Sequence, residues 1–155
     1  MFPSFLSKCR LSFLTIISLS ISVLLAACSP GSTSSGQNVA MASLSQMPAE
    51  VQAAPVSVQE GYRFAVANPD VLKSVPCYCG CKATGHTSNY SCFVKDASSP
   101  NGIVYDNHAL GCSMCVEIAR DAMRMTREGK PINEIRTSID QIYSKYGPSN
   151  MPALQ

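Results

Sequence analysis

CSMCVEIARDAMRMTREGKPINEIRTSIDQIYSKYG, residues 112–147, carries the clearest periodicity in the chain. Cys115, Ile118, Ala119, Ala122 and Met125 recur at three- and four-residue steps, which predicts one buried face of a helix running from about 112 to 128. Gly129 ends that helix and Pro131 opens the next. Ile132, Ile135, Ile139, Ile142 and Tyr146 then lay down a second apolar stripe, closed by Gly147-Pro148. Two amphipathic stripes joined by so short a link make a helical hairpin. Arg124–Glu128 and Arg136–Asp140 sit at the four-residue spacing of solvated helix faces. Met123 and Met125 read as packing side chains, not metal thioethers.

Upstream, Val58, Tyr62, Ala65 and Val66 predict a helix over Ser57 to Ala67. Asn68-Pro69-Asp70 restarts it, with Asn as the cap, Pro at the first helical position and Asp at the positive helix end. A short turn through Val71, Leu72 and Val75 then stops at Pro76. From Cys77 to about Ala109 helical period is lost. Tyr90–Val94 and Ile103–Tyr105 are β-prone and flank the turn-rich KDASSPNG, which predicts a short hairpin. The expected fold is therefore mainly α. It is a small helical domain over 57–147, an N-terminal helix plus a C-terminal helical hairpin, with a Cys-rich loop and short β-hairpin inserted between them.

The 155 residues leave room for one domain and its tails. Lys8 and Arg10 precede an apolar run from Leu11 to Ala27, the layout of an export signal. The run ends in Leu25-Ala26-Ala27-Cys28, which resembles the lipobox of bacterial lipoproteins. That resemblance implies cleavage after residue 27, lipidation of Cys28 and anchoring on the extracytoplasmic face of the cell membrane, or of the outer membrane in a Gram-negative host. Acyl chains on Cys28 would hold the protein at the membrane. Residues 28–56, rich in Ser, Gly, Ala, Gln and Pro, read as a flexible tether, and 148–155 as a frayed tail. With Lys8 and Arg10 removed, ten basic residues face ten acidic ones. No basic patch remains, and nucleic acid is not an expected partner.

Of eight cysteines, Cys9 leaves with the signal and Cys28 is consumed by lipidation. Six remain: Cys77, Cys79 and Cys81 in PCYCGC (76–81), then Cys92, Cys112 and Cys115. An even number of thiols in an exported domain fits a disulfide framework. Pairing within Cys77, Cys79 and Cys81 would close very small, strained rings, so bridges would have to run outward to Cys92, Cys112 and Cys115. In an extended chain alternate residues share a face, about 6.5–7 Å apart, which turns the three sulfurs the same way. Gly80 gives the backbone freedom to curl them inward. Cys112 and Cys115 share a helix face at its positive end, which favours the metal-binding thiolate. His108 precedes Cys112 by four residues and His86 follows Cys81 by five.

Thiolate and imidazole donors suit Cu(I) and Zn²⁺, and a segment poor in carboxylates does not suit Ca²⁺ or Mg²⁺. Eight candidate ligands exceed the four a single zinc needs, which favours multinuclear Cu(I). The expected function is soft-metal binding through Cys77, Cys79, Cys81, Cys92, Cys112, Cys115, His86 and His108, for sequestration, delivery or tolerance. Its expected partners are metal donors or acceptors, or cytochrome and oxidase assembly proteins. Two alternatives stand beside it: a thiol–disulfide oxidoreductase in which Cys112 attacks and Cys115 resolves, and a disulfide-stapled interaction domain. No catalytic triad, phosphate loop or paired-carboxylate site is present, and an enzyme is not the expected class.

PCYCGC, the run Gly85-His86-x-Ser88-Asn89-Tyr90-x-Cys92-Phe93-Val94, and HALGCSMCVEIA follow one another in the order of the bacterial PCYCGC-motif lipoproteins, which the chain resembles over about 57–147. The resemblance implies an extracytoplasmic lipoprotein and specifies no activity. Residues 112–147 are also similar to the cytochrome c maturation thiol reductases, through C-x-x-C, Ala119-Arg120-Asp121, Glu134-Ile135-Arg136 and the aromatic end at Tyr143 and Tyr146. Those proteins use a small three-helix bundle to reduce apocytochrome disulfides.

Overall fold

The computed structural model describes residues 37–153, so the expected export signal, the expected lipidation site Cys28 and the first part of the expected tether lie outside the described residues. Helices α1 (Ala49–Gln52), α2 (Val56–Ala67) and α3 (Pro69–Lys73) come first. Strands β1 (Val94–Asp96) and β2 (Val104–Tyr105) follow, then α4 (His108–Gly111), α5 (Ser113–Arg127) and α6 (Ile132–Tyr143). The architecture is mainly helical with one small antiparallel sheet and a Cys-rich centre. Among the described residues no helix is long and apolar enough to cross a membrane.

The expected face of α5 is the buried one: Cys115, Ile118, Ala119, Ala122 and Met125 are all in the core, and Met123 joins them. Gly129 ends α5 at φ +77°, where the Gly129 N–H bonds Thr126 O and the Lys130 N–H bonds Met125 O, so the last turn's carbonyls are satisfied. Along α6 the buried line is Ile135, Ile139 and Tyr143, while Ile132, Ile142 and Tyr146 are exposed. The expected stripe was too broad because α6 packs chiefly on α5, and one neighbour covers a single four-residue row. Helix α2 also packs on α5. Its Gly61 lies against Phe93, where a Cβ would come within 2.8 Å of the ring.

Three boundaries differ from expectation. Tyr90–Cys92 is a 3₁₀ turn, so the sheet holds only Val94↔Tyr105 and Asp96↔Val104, with an irregularity between the two pairs. Residues 108–111 form a helical turn, with the His108 N–H held by the Asp106 carboxylate at 2.8 Å. Asn68 occupies the cap position of α3, but its amide donates to Ala40 O and Phe64 O instead.

Two assignments are corrected outright. Residues 37–56 are folded onto the domain and are not a flexible tether. Met47 and Val51 are buried, the Gln37 N–H caps the Arg127 carbonyl at the end of α5, and Ala42 and Arg63 bond reciprocally. Burial of two large apolar side chains together with these bonds outweighs the entropy of a polar-looking segment. Residues 148–153 are likewise not frayed, because Asn150 is buried beneath the Cys-rich loop.

Candidate metal centre

PCYCGC is held in place along its whole length. Pro76 ends the preceding turn, and the backbone of Cys77 pairs with Asn150 twice: the Cys77 N–H donates to Asn150 Oδ1 at 2.7 Å, and the Asn150 N–H donates to Cys77 O at 3.1 Å. The Tyr78 hydroxyl reaches outward to donate to the Asp140 carboxylate on α6. Gly147 passes so close beneath that an added Cβ would lie 2.9 Å from Tyr78 O. Gly80 sits at φ +82°, a conformation costly for other residues, and turns the chain into the 3₁₀ turn Cys81–Thr84.

This clamp turns the three sulfurs toward the start of α5. Cys77 Sγ lies 3.3 Å from Cys79 Sγ and 3.4 Å from Cys115 Sγ, and Cys115 lies 3.5 Å from Cys79 and 3.2 Å from Cys112. His108, presented by α4, places Nε2 3.4 Å from Cys79 Sγ. On the far side Cys92 Sγ is 3.8 Å from Cys81 Sγ and 3.5 Å from His86 Nδ1. The His86 and His108 rings meet edge to face, 5.0 Å apart. All eight residues read from the sequence as ligands are thus brought into one cluster. Its six cysteines are free thiols, well beyond the ~2.05 Å of a disulfide.

The donors fall into overlapping sets whose ligand atoms lie within 4.8 Å of one another: Cys79, His108, Cys112 and Cys115; Cys81, His86, Cys92 and His108; Cys77, Cys79 and Cys81; and Cys77, Cys92 and Cys115. Four ligands at about 2.3 Å from one ion would stand about 3.8 Å apart, so such spacing fits a soft ion or a cluster of them. The set donors are sulfur and imidazole alone, which fits Cu(I) or Zn²⁺ and does not fit oxygen-seeking ions.

Hydrogen bonds from Cys115 and Cys92 pull the Cys77 thiol well below its ordinary range, so Cys77 carries negative charge first. Cys115, which donates to it, is pushed up, and burial with the charge on Cys77 raises Cys79 and Cys81. A buried group of sulfurs in which one charge keeps its neighbours protonated is poised to exchange protons for cations.

Around the sulfurs lies a second layer that sequence reasoning missed. Asp106 Oδ2 is 3.4 Å from His86 Nε2, leaving Nδ1 directed at Cys92, while Asp106 Oδ1 caps α4 and so places His108. The Tyr62 hydroxyl fixes the Asp106 carbonyl at 2.6 Å. Asn89 is fully buried: its N–H donates to Val75 O and its amide to Cys115 O. Asn150 also donates to His86 O at 3.2 Å. Asp106, two residues before His108, had a readable signal as a turn-forming acid; Asn150 had none.

A helical frame holding a largely buried cluster of six thiols and two imidazoles marks the kind of protein this is. The chain belongs to the PCYCGC family, described as proteins of unknown function with a PCYCGC motif, whose model matches residues 17–153. No curated protein and no solved structure matches it, the cytochrome c maturation thiol reductases included.

Proposed function

We propose that the protein is an exported, membrane-tethered soft-metal-binding lipoprotein that holds Cu(I), or zinc, for sequestration, delivery or tolerance outside the cytoplasm. The observation that carries this reading is the convergence of six free thiols and two imidazoles, drawn from four separate stretches of chain, into sets of ligand spacing. Structural packing needs no such collection of donors, and a disulfide framework gains nothing from two histidines directed at its sulfurs. The layout of residues 1–28 supports export and lipidation.

Ligand economy separates the two metals. Two four-coordinate zinc ions need eight ligands, but the two four-donor sets share His108 and leave out Cys77, whereas Cu(I), taking two or three sulfurs each, fills the same cluster with more ions. Domain 37–155, purified anaerobically under reducing conditions, is analysed for bound metal and for free thiols on the same sample. More than two Cu(I) per chain, falling in Cys79→Ser, is the expected result. Three disulfides and no metal overturn the reading.

The oxidoreductase reading draws on one observation: Cys112 is half-exposed at the cap of α5, 3.2 Å from Cys115. It predicts mixed disulfides trapped by Cys115→Ser through the remaining Cys112 thiol, and their absence counts against it.

A further inference from the structure

The cluster is not equally enclosed on all sides. Cys77, Cys92 and Cys115 are 0% exposed and Cys81 is 2% exposed, whereas Cys79 and Cys112 are half-buried. Those two sulfurs open on a cleft of about 490 Å³ bordered by Tyr78, Ser113, Met114 and Tyr146. Cys112 and Ser113 also border a neighbouring cleft of about 260 Å³. The larger cleft has the size of a ligand pocket. It contains no charged side chain, and a third sulfur, that of Met114, stands on its rim.

We propose that this cleft is an ion-exchange port, through which a thiol-bearing partner takes soft metal from, or gives it to, the outer ligands Cys79 and Cys112. The proposal rests on the metal-binding reading above. The outer set of Cys79, His108, Cys112 and Cys115 is the exchangeable one, whereas in the set of Cys81, His86, Cys92 and His108 every donor but the shared His108 is buried.

The step is a ligand exchange without change of oxidation state. An incoming thiol must bring its sulfur to about 2.3 Å from the ion, and the larger cleft, bordered by both Cys79 and Cys112, gives a sulfur that approach. As its metal–sulfur bond forms it releases its proton. The bond from the ion to Cys112 breaks, and the freed thiolate takes up a proton, so protons and charge balance. Transfer to the partner completes when Cys79 is replaced in the same way and the bonds from the ion to His108 and Cys115 then break, the freed Cys115 thiolate taking up a proton from water. Three-coordination in passing is natural to Cu(I), which keeps the ion bound throughout.

Two rim variants, neither at a ligand, narrow the entrance. Ser113 is exposed at the start of α5, and Gly111 has open space around its Cβ position, so Ser113→Trp and Gly111→Arg both fill the port without entering the core. Ser138→Trp, on α6, serves as a control away from the cleft. In the first measurement, Cu(I)-loaded domain 37–155 is mixed with free cysteine or with a peptide carrying a C-x-x-C pair, and metal loss is followed over time. Both rim variants should slow extraction about tenfold at unchanged metal content, with the control at the wild-type rate. A faster peptide than cysteine at equal thiol identifies a protein partner, and equal rates a small thiol. In the second measurement, reduced metal-free domain is alkylated and mapped: Cys79 and Cys112 should react first, and more slowly in the rim variants. Equal extraction and alkylation rates in wild type and both rim variants overturn the port. A domain that takes up no metal yet alkylates in this order overturns the metal reading and the exchange role with it, while keeping the cleft as the opening of the cluster.

Discussion

Asn150 Oδ1 accepts the Cys77 N–H at 2.7 Å across 73 residues of chain, and the Asn150 amide donates to His86 O at 3.2 Å. One buried side chain thus ties the first cysteine of PCYCGC to the loop that carries His86. Replacement by Ala leaves a buried donor and a buried acceptor without partners, each costing about 1–3 kcal/mol. Asn150→Ala should lose about 2–4 kcal/mol in urea unfolding of the metal-free domain; a loss below about 0.5 kcal/mol contradicts this role.

Asp106 orients His86 by accepting from Nε2, the arrangement by which a carboxylate holds a metal-bound imidazole. Asp106→Asn keeps an acceptor for the His108 N–H but removes the charge behind His86. Metal affinity, measured by competition with a chelator of known strength, should fall roughly tenfold or more. Unchanged affinity would place His86 outside the coordination sphere.

Gly61 sets two effects against each other. Ala improves helix propensity by about 1 kcal/mol, whereas its methyl would meet the fully buried Phe93 ring at 2.8 Å. The ring is fixed edge-on to Tyr62, 5.1 Å between centroids, so overpacking at about 1–3 kcal/mol wins. Gly61→Ala should therefore lower thermal stability. A rise in Tm would show that Phe93 moves freely.

Residues 37–56 belong to the folded unit. A domain beginning at Ser57 loses the buried side chains of Met47 and Val51, worth roughly 3–6 kcal/mol together. Its denaturant midpoint should fall well below that of domain 37–155. Coincident midpoints would restore the segment to the tether.

Metal and fold are linked through the cluster, since an ion that binds only the native chain stabilises it. At a thousandfold excess over Kd the gain is about 4 kcal/mol. Adding a cuprous chelator to the loaded domain should lower Tm by several degrees, and restoring Cu(I) should recover it. A Tm indifferent to both would separate the cluster from metal.

The helical frame was legible because it rests on local rules. Apolar spacing marked the core face of α5, Gly129 and Pro131 marked the hairpin turn, and Pro76 marked the start of the Cys-rich loop. The ligand set was legible as residue types, since thiols and imidazoles have few competing uses at such density. Their union was not. Periodicity carries no information on which of several loops meet, and Cys77 finds Cys115 only because Tyr78, Gly147 and Asn150 press the loop against the start of α5. Composition misjudged 37–56 for a related reason. A segment poor in large apolar residues reads as flexible, yet two of them, Met47 and Val51, with backbone bonds to α2 and α5, were enough to bind it down. Local spacing and residue type were enough for the helices and for the soft chemistry of the donors. That eight donors form one cluster, that Asp106 and Asn150 brace it, and that Cys79 and Cys112 are the cysteines at its opening follow from the folded chain, because those facts depend on long-range contacts that no local spacing encodes.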